Sequence, residues 1–100
     1  SLSTAYAEAA ASIQSDYEQK QALTALVSRG RLTPASLALV LRSAHGIESD
    51  YERASLLVEI AGQYNLAGAP RDAYLEAARS IHSEYERQRA QAALVEREGR

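Results

Sequence analysis

The sequence predicts an all-α protein, a right-handed α-solenoid of three antiparallel helical hairpins, and three observations carry that expectation. The first is an internal repeat: Ile13-Gln14-Ser15-Asp16-Tyr17-Glu18, Ile47-Glu48-Ser49-Asp50-Tyr51-Glu52 and Ile81-His82-Ser83-Glu84-Tyr85-Glu86 recur at a constant spacing of 34 residues. The match runs on, since Ala22, Ala25, Leu26, Val27 and Arg29 return as Ala90, Ala93, Leu94, Val95 and Arg97 at twice that spacing. Tyr6, Ala9 and Ala10 likewise return as Tyr74, Ala77 and Ala78. A fixed period of this size marks an architecture in which each unit buries its apolar face against its neighbours. The second observation is compositional. Alanine contributes 20 residues and Leu, Ile and Val together another 20, with no Phe, so short helices packed through small side chains are expected. The third is that helix start and stop signals fall in register with the repeat.

Taken in order, the first helix is predicted from Ser3 or Thr4 to before Ser15. A second follows over 16–29, because Ser15 and Glu18 have capping-box spacing: the hydroxyl serves an orphan amide and the glutamate reaches back. Gly30 then supplies a left-handed stop. Thr33-Pro34 provides an N-cap and a proline at the first helical position, opening a third helix that runs to Gly46. Ser49 with Glu52 opens a fourth over 50–64, stopped at Asn65; Pro70 opens a fifth; Ser83 with Glu86 opens a sixth over 84–97, stopped at Gly99. Asp16, Asp50 and Glu84 fall in first turns, where the helix dipole favours them. The hairpins occupy roughly 1–30, 31–65 and 66–100 of a single domain. Apolar spacing agrees, with Leu37, Val40, Leu41 and Ala44, then Leu57, Ile60, Ala61 and Tyr64, then Tyr74, Ala77, Ala78 and Ile81 each forming one helical stripe. Leu39, Leu56 and Val58 lie off the stripe, as a hairpin sandwiched between two others requires. Gln88, Arg89 and Gln91 make the last hairpin more polar.

Composition excludes several function classes. The 100 residues carry 11 basic and 13 acidic side chains, a formal net charge of −2, against the clustered positive surface that nucleic acid binding demands. In the last third the arginines are matched by carboxylates. Without cysteine there is no disulfide and no thiolate metal site, though compartment stays open. The longest apolar run, Leu37 to Leu41, falls far short of the ~20 residues that a membrane-spanning helix needs.

The motif Ile-x-Ser-Asp/Glu-Tyr-Glu-Arg, at Ile47 to Arg53 and Ile81 to Arg87 and as Ile13 to Gln19, resembles a short HEAT-like helical-hairpin repeat of bacterial proteins. That repeat occurs in poorly characterised regions, some attached to antirepressor-type membrane metallopeptidases. The resemblance implies a helical module that binds or positions something. It implies no peptidase activity, because no His-Glu-x-x-His motif is present. The tryptophan, Leu-Gly pair and phenylalanine of the tetratricopeptide repeat have no counterpart in this chain.

No constellation of residues points to catalysis. His45 and His82 occupy unmatched repeat positions near helix C-termini, where a histidine complements the dipole, so neither a metal nor a cofactor is expected. Asp50 with Arg53, Glu76 with Arg79, and Glu84 with Arg87 have the spacing of solvated helix pairs. Tyr17, Tyr51 and Tyr85 form either an aromatic row open to a ligand or, as favoured here, rings packed at hairpin corners; Tyr6 and Tyr74 are expected in the core, and Tyr64 partly exposed. The expected function is a non-catalytic interaction module offering a shallow groove to a protein or peptide. Lys20, Gln21, Arg53, Gln63, Arg87 and Gln91 are the candidate groove residues. A spacer from a longer solenoid, associating end to end, and a designed scaffold without biological function are the other readings.

Overall fold

A computed structural model of the chain describes residues 17–99. Over that span the fold is all-helical: five α-helices and one 3-10 turn, with no strand among the described residues. The predicted first helix, the Ser15 cap, Asp16 and Tyr6 lie outside the described residues.

Helix α1 occupies 17–28 of the described chain. It stops where Gly30 turns left-handed at φ 67° and donates its amide to Val27 O at 3.0 Å, as the sequence predicts. Helix α2, Pro34–Ser43, begins with the Thr33 side chain accepting from the Ser36 amide at 3.1 Å. Its α geometry ends before Gly46, and the chain tightens into a 3-10 turn over Ala44–Gly46. Helix α3, Asp50–Gln63, and helix α5, Glu84–Glu98, start alike: Ser49 Oγ accepts from Glu52 N and Ser83 Oγ from Glu86 N, each at 3.2 Å. Ser49→Ala is therefore expected to cost about 1 kcal/mol. Urea denaturation followed by circular dichroism reads this as a lower midpoint at unchanged slope.

Helix α4, Ala69–Arg79, starts one residue earlier than predicted, after Gly68 at φ 61°. Two expected stops take another form. Asn65 and Gly99 are not left-handed; α3 ends on extended Tyr64 and α5 on a right-handed Gly99.

Helix α3 packs mainly along α5, and α2 along α4, so helices at equivalent repeat positions lie side by side. The core joins Leu37, Leu41, Leu57, Ile60, Tyr74 and Ile81, all at most 3 % exposed. Most predicted stripes are thus buried, because apolar residues three and four apart share one helical face. Leu56 is fully buried as expected, but Leu39 is 59 % exposed, lying off the α2 stripe of Leu37, Val40 and Leu41 that enters the core. Tyr74 lies wholly inside and donates its hydroxyl to Ala90 O at 2.6 Å, joining α4 to α5. Tyr64 is half-buried and donates to Val27 O at 3.0 Å, joining the end of α3 to α1.

Candidate partner-binding surface

The reciprocal half of the third capping box is replaced by a contact from the preceding repeat. Asp50 in the first turn of α3 accepts from Ser83 N at 2.8 Å and His82 N at 3.3 Å, so its carboxylate sits at the positive end of α5. Glu86, expected to reach back, instead pairs with Arg89 at 2.7 Å. The Asp50 carboxylate therefore binds the two repeats together as well as favouring its own helix.

The arginines follow the same logic. Arg53 is 8 % exposed, and its guanidinium donates to Ile47 O at 2.7 and 2.9 Å, to Ser80 Oγ at 2.6 Å and to His45 O at 3.3 Å. It caps the carbonyl end of α2 and its 3-10 turn, where the dipole is negative. Arg87, its repeat equivalent, is half-buried and donates to Ile81 O at 3.0 Å. Two expected ion pairs are consequently not formed: Asp50 and Arg53 serve backbone groups, and Glu84 accepts from Gln88 rather than Arg87. Glu76 and Arg79 do pair. A long planar cation finds carbonyls at a helix end more complementary than a solvated carboxylate one turn away.

The groove residues named from sequence accordingly divide. Arg53 is no surface residue, and Arg87 is partly spent on a carbonyl. Lys20 and Gln91 are half-buried. Gln21 and Gln63 are exposed, with Gln21 donating to the Tyr17 hydroxyl at 2.7 Å and Gln63 to Glu59 at 3.0 Å. These residues do not form one continuous exposed set.

The tyrosines do recur on the surface. Tyr17, Tyr51 and Tyr85 are 58 %, 61 % and 73 % exposed, which overturns the expectation that their rings pack at hairpin corners. Each ring stands in the first turn of the described helix, and among the described residues only Tyr51 has a charged side chain over its face. Tyr51 and Tyr85 lie at the same ends of the packed helices α3 and α5. Between them Arg89 stands 5.3 Å from the Tyr51 ring centre and donates to Ser55 Oγ at 2.9 Å. Exposed Glu18, Glu48 and Glu84 flank the rings, so the row is both aromatic and acidic. Sequence spacing located the tyrosines; the bridging role of Arg89 was missed, since Gln21 and Ser55 stand at its position in the other copies.

Two clefts border this framework. One of about 190 Å³ lies between α3 and α5, lined by Val58, Ala61, Gly62, Ala93, Glu96 and Arg97. Another, of about 480 Å³ between α2 and α4, sets Arg42 and His45 against Asp72 and Glu76. No group of three or more metal-ligating side chains converges among the described residues, and no described helix is long and apolar enough to cross a membrane. Comparison with protein-family models, curated proteins and solved structures finds no match to this chain.

Proposed function

We propose that this chain is a non-catalytic, right-handed α-solenoid of HEAT-like hairpins that presents its tyrosine row to a protein or peptide partner. One observation carries the reading: the three rings recur every 34 residues and remain more than half exposed. Side-by-side packing of equivalent helices supports the solenoid, and the recurring Ser-Asp/Glu-Tyr-Glu motif supports the HEAT-like assignment. Tyrosine gives large rigid contact area at low entropic cost, and Tyr and Arg dominate the energetically important positions of interfaces. Flanking Glu18, Glu48 and Glu84 favour a segment carrying basic and apolar side chains.

Panning a random peptide library on the immobilised chain is expected to enrich peptides rich in Arg or Lys with aromatic or aliphatic neighbours. Tyr17→Ser/Tyr51→Ser should weaken those peptides on the order of tenfold or more, equivalent to roughly 1.4 kcal/mol. Its circular dichroism should be unchanged, since the rings are largely exposed. No enrichment, or equal binding by the double variant, overturns the proposal.

A further inference from the structure

The tyrosine row has a spacing as well as a chemistry. Tyr51 and Tyr85 hold the same position in α3 and α5, which pack along one another, so the two side chains leave the backbone one interhelical distance apart, roughly 8–10 Å. Tyr51 belongs to the middle repeat, with α5 packed against α3 and α1 joined to it through Tyr64 and Val27. Its ring is nonetheless 61 % exposed, so the opening of the row is not an effect of the chain ends. Arg89 stands over this ring, yet among the described residues neither the Tyr51 nor the Tyr85 hydroxyl has a hydrogen-bond partner. The Tyr17 hydroxyl accepts from Gln21 and keeps its own proton to donate. The row therefore presents apolar rings and O–H donors at a regular interval.

We infer that the partner is a proline-rich segment in the polyproline II conformation, with a period of three residues that sets a proline against each ring and basic side chains toward Glu18, Glu48 and Glu84. The interval selects this backbone. Polyproline II has three residues per turn and advances 3.1 Å per residue, so one edge returns about every 9.3 Å, once per ring. Side chains on one face of a strand return at about 6.6–6.8 Å, and successive turns of an α-helix at about 5.4 Å. Backbone chemistry selects it too. A polyproline II segment makes no internal hydrogen bonds and proline has no N–H, so its carbonyls need donors such as these hydroxyls. A helical ligand would instead lay its apolar face in a groove. The other large apolar side chains exposed among the described residues, Leu26, Leu39 and Val95, lie at the opposite ends of α1 and α5 or on α2, so they build no groove beside the rings. Exposed Glu18, Glu48 and Glu84 supply the complementary charge. The inference rests on the tyrosine row being a partner site, as proposed above.

Fluorescence anisotropy of a dye-labelled peptide of four Pro-Pro-Arg triplets, titrated with the full chain, tests it. This peptide should bind on the order of tenfold more tightly than one with the same prolines and arginines in an order without period, which carries the same charge. Tyr51→Ser should weaken the periodic peptide on the order of tenfold and the aperiodic one much less, with unchanged circular dichroism. Equal binding of the two peptides, or a periodic peptide indifferent to Tyr51→Ser, overturns the inference. Library peptides that lose binding to Tyr17→Ser/Tyr51→Ser but lack prolines at a three-residue period overturn it while leaving the tyrosine row as the partner site. If the library enriches nothing and neither Pro-Arg peptide binds, the row itself is overturned.

Discussion

Tyr74→Ala is expected to lower the free energy of unfolding by about 3–5 kcal/mol, the range for deleting a fully buried aromatic ring. The ring lies between α4 and α5 at 0 % exposure, in a core otherwise built from aliphatic side chains and alanine. Small neighbours cannot collapse into the space, so the cavity term adds to the lost burial. Such a loss is a large share of the roughly 5–15 kcal/mol that stabilises an ordinary domain. Tyr74→Phe separates ring from hydroxyl: it keeps the volume and removes the 2.6 Å bond to Ala90 O, for an expected cost near 1 kcal/mol. It also alters the pH response. Burial pushes the Tyr74 phenol above its ordinary value of 10.0, so the folded state keeps a proton that the unfolded chain releases. Stability should therefore fall as pH rises above that ordinary value, and Tyr74→Phe should flatten the decline. Urea melts at neutral and alkaline pH measure both effects; if Tyr74→Ala costs less than about 1 kcal/mol, the α4 to α5 packing described here is wrong.

The second large effect is at Arg53. Arg53→Met should cost about 2–4 kcal/mol, although methionine keeps much of the stem, because it leaves Ile47 O and Ser80 Oγ without their cationic donor. Arg53→Lys should recover little of this. An ammonium cannot span two carbonyls and a hydroxyl in the planar fork that guanidinium provides. Arg87→Met removes a single bond, to Ile81 O, from a more exposed side chain, and should cost no more than about 1 kcal/mol. Denaturant midpoints of the three variants rank these effects. Equal losses at Arg53 and Arg87 would show that neither the fork nor burial sets the energy.

Much of the fold was legible because its signals are local. Ser49 with Glu52, Ser83 with Glu86, and Thr33 with Pro34 each act within one turn, so their spacing fixed where helices begin. Gly30 was readable as a stop because few other residues tolerate its backbone conformation. Asn65 and Gly99 have the composition of stops without the geometry, since an extended residue or a right-handed turn ends a helix equally well. Tyr74 was placed in the core by its stripe. The corner tyrosines were misread because a ring at a helix start gives the sequence no sign of what lies across from it.

The sequence by itself determined the repeat, the helix starts, the buried stripes and the absence of a cysteine site, because these depend on residue type and on separations of four or fewer, or on an exact period. Only the tertiary structure decided what the long polar side chains do. Asp50 had its own helix and its neighbour Arg53 as local partners, yet it serves the amides of Ser83 and His82, while Arg53 turns to the end of α2. A flexible charged side chain has many chemically equivalent partners within reach of the sequence. Which one it meets is fixed only when whole helices pack, and burial then makes that partner far more valuable than any left in water.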